Sequence, residues 1–210
     1  VLDQAIFLDK DGTLLEDVPY NVEPRLMRLA PRAGEALGLL APRYRLIVIS
    51  NQSGVAHGYF DESALVGVER RLGELLAAYD VELSGFYYCP HHPQGQVTAY
   101  RVACDCRKPQ PGLIKRVANE RGIDLARSWM VGDILDDVEA GRLAGCRTVL
   151  IDNGGETEWK LSLQRRPDFT ASDLYVAAEW ILAQPERGAA SMQGSAVACI
   201  PSDSGALDGF

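Results

Sequence analysis

Short apolar runs, each leaving into a polar or glycine-bearing turn, alternate along this chain with stretches of helical periodicity. Ala5-Ile6-Phe7-Leu8 is bounded by charge and glycine and reads as a strand buried on both faces. Arg45 to Ile49 is rich in β-branched residues and exits into Ser50-Asn51-Gln52-Ser53-Gly54, while Trp129-Met130-Val131 runs into Gly132-Asp133. The pattern predicts strands near 4–8, 45–50, 85–88, 129–131 and 147–151, and helices over about 32–41, 61–79, 111–121, 136–145 and 173–183. Strands alternating with helices predict an α/β fold, a Rossmann-like doubly wound parallel sheet with helices on both faces. The segments from Asp11 to Ser50 and from Ser50 to Lys108 are too short to carry a separate cap domain, so the fold is expected to be capless. After Gln184 the composition turns to Gly, Ala, Ser and Pro without a sustained apolar period. This divides the chain into a folded domain over 1–184 and a flexible tail over 185–210.

Composition narrows the class of partner. The 210 residues are 47% hydrophobic and 24% charged, ordinary values for a soluble globular protein. A formal net charge of −8 argues against non-specific nucleic-acid binding, which depends on neutralising phosphates. No apolar stretch approaches the ~20 residues of a membrane span, and the early apolar run is too short for a signal peptide and ends in Asp-Lys-Asp. With five cysteines and neither feature, a reducing cytoplasm is expected. Cys146 reads as a small core residue and Cys199 falls in the tail. The sequence leaves the oligomeric state open and favours a monomer.

The candidate chemistry sits at the predicted strand exits, where ligands of an open α/β sheet bind. Asp9-Lys10-Asp11-Gly12-Thr13 places two carboxylates one residue apart just beyond the first strand. Such a pair repels, and a divalent cation or a basic group would keep both ionised. Gly12 allows a tight turn that brings amide donors up to an anion. Ser50 offers a hydroxyl, Cys106-Arg107-Lys108-Pro109 offers fixed positive charge ahead of a helix, and Asp133, Asp136 and Asp137 offer carboxylates. Each has a bland alternative as a turn residue, a solvated charge or a helix cap, but four such accidents at once are improbable.

Cys89-x-His91, twelve intervening residues, then Cys104-x-Cys106 has the composition of a closed four-ligand zinc site. Thiolates with one imidazole favour Zn²⁺ over Mg²⁺ or Ca²⁺. A Cys104–Cys106 disulfide and buried free thiols are the alternatives. The loop is too long and too aperiodic to build its own core, and a metal would fix Arg107 and Lys108 at its end. His92 reads as a loop histidine outside the ligand set.

In combination these motifs resemble the haloacid-dehalogenase superfamily of aspartate-nucleophile phosphatases. Ser50-Asn51-Gln52-Ser53-Gly54-Val55-Ala56, Cys89-Pro90-His91-His92-Pro93-Gln94-Gly95 and Cys104-Asp105-Cys106-Arg107-Lys108-Pro109 narrow the resemblance to the D-glycero-D-manno-heptose 1,7-bisphosphate 7-phosphatases, from about Ala5 to about Ile151. The resemblance implies Asp9 as nucleophile, Asp11 as acid and base, and Ser50 and Lys108 as stabilisers of the transferring phosphoryl group. It implies Mg²⁺ held by Asp9, Asp11 and Asp133, and structural Zn²⁺ held by Cys89, His91, Cys104 and Cys106. Asp17, Val18, Pro19, Tyr20, Asn51, Gln52, Ser53 and Arg107 are then the expected contacts to a sugar bisphosphate, whose product would supply ADP-heptose synthesis. Ile134 and His57 depart from the family's usual polar or basic residues, which bears on substrate preference. Histidinol-phosphate phosphatase is the nearest rival activity; a nucleic-acid 3′-phosphatase is disfavoured by the acidic balance, and a non-catalytic phosphate-binding module by the presence of Asp9, Asp11, Lys108 and Asp133.

Overall fold

A computed structural model of the chain describes residues 2–185. Beyond Pro185 the tail expected from sequence lies outside the described residues. Six parallel strands form one sheet: β1 (Ala5–Leu8), β2 (Arg45–Asn51), β3 (Gly85–Cys89), β4 (Trp129–Gly132), β5 (Arg147–Ile151) and β6 (Phe169–Ala171), in the order β3-β2-β1-β4-β5-β6. The order reverses between β1 and β4, and that crevice is where the carboxyl ends of two strands leave room for a ligand. The five expected strands are present. β6 was not expected, because three residues give too short a pattern to separate from the loop before it.

Alternation along the strands splits the core by face. Ile6, Leu8, Val48, Trp129 and Val131 face α1 (Ala33–Leu40), α3 (Ser63–Ala77) and α6 (Leu174–Ala183). Phe7, Ile47, Ile49 and Met130 face α4 (Gly112–Arg121) and α5 (Leu135–Ala144). Helices therefore cover both faces, as expected for a doubly wound sheet. The helix α3 turns Leu65, Val68, Leu72 and Leu76 inward at three- and four-residue spacing. Both Met27 and the α3 stripe join the same core, so neither segment between the motifs builds a core of its own. A four-residue helix, α2 (Gly54–His57), follows β2 and also escaped the sequence pattern. No helix among the described residues is long and apolar enough to cross a membrane.

Candidate active site

Asp9 is the first residue past β1, and its backbone N–H still donates to Val131 O at 2.9 Å, extending the ladder toward β4. Gly12 then takes φ +78°, a conformation that favours glycine. Its N–H donates to Leu15 O at 2.9 Å, and Leu15 N–H returns to Lys10 O at 2.9 Å, closing the turn on itself. Asp133 leaves β4 directly opposite. Oxygens of Asp9, Asp133 and Asp137 lie within 4.8 Å of one another, and all three residues are buried.

Lys108 answers this cluster from the other side. Its Nζ donates to Asp9 Oδ1 at 2.5 Å and to Ile49 O at 2.9 Å, and it forms an ion pair with Asp137 Oδ1 at 2.6 Å. Burial alone would drive this ammonium down, but Asp137 and Asp9 outweigh it and hold the pKa above its ordinary value. The lysine's backbone is pinned as well: Asn51 Nδ2 donates to Lys108 O and Lys108 N–H donates to Asn51 Oδ1, each at 3.1 Å.

Three buried carboxylates facing one ammonium leave two negative charges uncompensated when all are ionised. Burial, followed by repulsion from Asp9 and Asp137, pushes Asp133 up to about 8. Burial likewise pushes Asp137 to about 7, with Lys108 opposing and Asp9 reinforcing. A hard divalent cation fits this donor set, since it would supply the missing charge and prefers carboxylate oxygen. Asp137 is the least available of the three, with Oδ1 on Lys108 and Oδ2 accepting from Ile134 N–H at 3.3 Å.

Asp11 is the more open of the first pair. Its Oδ1 meets Lys10 Nζ at 2.7 Å, and Oδ2 accepts from Gln52 Nε2 at 3.4 Å. Burial raises its pKa, Lys10 opposes this, and Asp9 adds to the rise. Gln52 also donates to the buried Ser50 Oγ at 2.8 Å, so Ser50, Gln52 and Asp11 form one connected edge. Thr13 Oγ1 reaches Asp133 Oδ1 at 3.5 Å.

The expected sugar contacts spread around this centre. Asp17 lines a cavity of about 350 Å³ together with Gly12, Asp133, Asn153 and Gly155. Val18, Pro19 and Tyr20 continue along an exposed loop, where the Tyr20 ring meets Tyr59 edge-on at 4.8 Å and His57 at 6.3 Å. The Ser53 carbonyl accepts from His57 N–H at 3.0 Å and serves the start of α2. Arg107 donates to His91 O at 3.5 Å and lines a second cavity of about 470 Å³, shared with His92, Gln94 and Gln110. Among the described residues no hydrogen bond or ion pair joins Arg107 or Val18–Tyr20 to Asp9 or Asp133. His92 stacks obliquely on His57 at 4.7 Å, consistent with a loop residue outside the cysteine cluster.

That cluster is compact. Cys106 Sγ lies 3.0 Å from Cys89 Sγ and 3.2 Å from Cys104 Sγ, and His91 Nδ1 lies 3.3 Å from Cys106 Sγ. These separations exceed the ~2.05 Å of a disulfide, and all three thiols are free. Burial raises the Cys89 and Cys106 thiols, whereas Cys104 is lowered because hydrogen bonds from its neighbours outweigh its burial. Three sulfurs and one imidazole nitrogen converging without a disulfide suit a soft, four-coordinate cation.

A HAD-hydrolase-like family model matches residues 105–177. The D-glycero-beta-D-manno-heptose-1,7-bisphosphate 7-phosphatase of Salmonella typhi is 42% identical over 152 residues, covering 71% of this chain and 81% of the relative. The protein of the same name from Pasteurella multocida is 42% identical over 153 residues, covering 72% and 83%. Among solved structures, the D,D-heptose 1,7-bisphosphate phosphatase from B. bronchiseptica, complexed with magnesium and phosphate, superposes with a TM-score of 0.70 at 29% identity, covering 85% of this chain and 98% of that one.

Proposed function

The chain belongs to the D-glycero-D-manno-heptose 1,7-bisphosphate 7-phosphatase family of haloacid-dehalogenase-like hydrolases, and from that premise we propose that it removes the C7 phosphate of this heptose bisphosphate through an aspartyl-phosphate on Asp9. The chain is a phosphomonoesterase. Its substrate is read from the names of its relatives, and those names favour the β-anomer.

In this reading Asp9 attacks phosphorus and the sugar oxygen leaves. Asp11, whose burial favours the protonated form, gives that oxygen a proton and then takes one from the water that opens the acyl phosphate. Lys108 and Ser50 hold the equatorial phosphoryl oxygens, with Gln52 fixing the Ser50 hydroxyl. Asp9, Asp133 and the Asp11 main chain would hold Mg²⁺, which would neutralise charge on the phosphoryl group. Arg107, which lines the cavity of about 470 Å³ and carries a planar fork suited to oxyanions, is assigned the remote phosphate. Asp17 to Tyr20 and Asn51 to Ser53 complete the sugar pocket. Cys89, His91, Cys104 and Cys106 would hold a structural Zn²⁺, which would order the loop that carries Arg107 and Lys108.

The observation that carries the reading is Lys108 Nζ at 2.5 Å from Asp9 Oδ1, with Asp133 in the same cluster. Residues distant in sequence have no structural need to gather three acids and one base at a ligand crevice. Steady-state turnover of the two heptose bisphosphate anomers, histidinol phosphate and ordinary sugar phosphates tests it. The β-bisphosphate should have the highest kcat/KM, and Asp9→Asn should lose turnover while keeping the circular dichroism spectrum. Faster cleavage of histidinol phosphate would overturn the substrate, and an active Asp9→Asn would overturn the nucleophile.

A further inference from the structure

The segment after β5, Asp152-Asn153-Gly154-Gly155-Glu156, borders the acidic centre, lining a cavity with Gly12 and Asp133. Asn153 Nδ2 donates to Gly12 O at 2.6 Å, joining residues far apart in the chain. The same side chain's Oδ1 accepts from Gly155 N–H at 3.0 Å, so Asn153 bridges its own loop to the turn that carries Asp11. Glycine at 155 is required by contact, because a Cβ there would collide with Asp133 Oδ2. A Cβ at Gly12 would strike the same oxygen. The Asp133 carboxylate is thus sandwiched between two glycines, one on each loop, and Asn153 is the hydrogen bond that ties those loops together.

Farther along, Glu156 Oε2 accepts from Leu135 N–H at 2.7 Å. That amide opens α5, and the residue before it, Ile134, has no side-chain oxygen to serve as a cap. Glu156 therefore supplies from a separate loop the acceptor that the helix start lacks, two residues after Asp133. Arg165 then pairs with Asp136 and Glu139 on α5, anchoring the far end of the loop to the same helix.

We propose that Asn153 is a positioning residue for the divalent cation: by tying the Gly12 carbonyl to the Gly155 turn it sets the gap in which Asp133 faces Asp9, and so sets Mg²⁺ affinity. The inference rests on the phosphatase reading above and adds a determinant outside its expected site. Asn153 makes no contact with the reacting atoms. It acts by holding two backbone segments whose spacing the carboxylate depends on, and losing an outer support of metal ligands typically costs roughly ten- to a hundredfold in affinity.

Calorimetric titration of the metal-free chain with Mg²⁺ alone tests this, using the unaltered protein, Asn153→Ala and Gly155→Ala. Asn153 is exposed, so its truncation leaves the core intact. The Mg²⁺ dissociation constant should rise roughly ten- to a hundredfold in Asn153→Ala. The activation constant for Mg²⁺ in turnover should rise by a similar factor, more than kcat falls. Gly155→Ala should weaken Mg²⁺ binding as well, through the clash with Asp133. A merely structural loop would lower the unfolding midpoint of the metal-free protein and leave the Mg²⁺ constant unmoved, and that result overturns the inference. Absence of Mg²⁺ binding by the unaltered chain overturns it together with the functional reading.

Discussion

Lys108 and Asp137 face each other at 2.6 Å, both fully buried, although one ends a long loop and the other is the third residue of α5. In the proposed reaction the partner of Lys108 is Asp9, which pairs with the same ammonium. The role of Asp137 is to keep the lysine charged and aimed. Asp137→Ala should therefore lower stability by roughly 1–3 kcal/mol, less than the ~3–5 of a fully broken buried pair because Asp9 remains. Activity should fall with it. Lys108→Met should cost roughly 10²–10³ in kcat, the scale of one lost preorganised donor. Urea unfolding read beside turnover checks both, and an Asp137→Ala protein with unchanged stability and rate would contradict the assignment.

The acidic centre gives a pH dependence whose sign is fixed. Asp133 is pushed up to about 8 by burial and by its acidic neighbours, against an ordinary aspartate value of about 4. Between those values the folded, metal-free chain holds a proton that the unfolded chain has released. Its stability accordingly falls as pH rises through that window. Mg²⁺ takes over the proton's role, so the slope should flatten when the ion is present. Denaturation midpoints measured across the window with chelator and with Mg²⁺ provide the check; a metal-free midpoint that climbs with pH would count against the cluster.

Cys104→Ser should reduce zinc from about one ion per chain to near none, and should lower the unfolding midpoint before it affects the chemical step. Metal analysis of the purified variant decides this. Normal zinc content would rule out the four-ligand site.

Arg107→Ala should separate binding of the remote phosphate from chemistry. KM for the bisphosphate should rise roughly ten- to a hundredfold, from the ~1.5–3 kcal/mol of a charge-assisted hydrogen bond, while KM for heptose 7-phosphate stays near its original value. Equal increases for both substrates would assign Arg107 to the scissile phosphate or to the loop's fold.

The strands that carry the candidate site were legible because a strand buried on both faces is written as an unbroken apolar run, and Ala5–Leu8 and Trp129–Gly132 are such runs. Asp9, Ser50, Lys108 and Asp133 stood at run ends, where sequence distance says little but sheet topology says much. What escaped had no local signature. Phe169-Thr170-Ala171 is an edge strand with only Ala171 fully buried. Asp137 in a first helical turn reads as an ordinary favourable charge, and only the folded chain brings Lys108 to it. Asn153 sits in an Asn-Gly-Gly stretch indistinguishable from a surface turn, and its partner Gly12 lies at the far end of the domain's sequence. Glu156 was invisible for the same reason, since capping normally comes from the residue just before a helix.

The sheet order has a consequence for how this enzyme fails. The groups proposed to react depart from β1, β2 and β4 and from the loop after β3, so no fragment holding two neighbouring strands can assemble the proposed centre. Catalysis is accordingly a reporter of the whole domain: loss of turnover under denaturant should track loss of the central strands, and a partly melted molecule should be inert rather than sluggish.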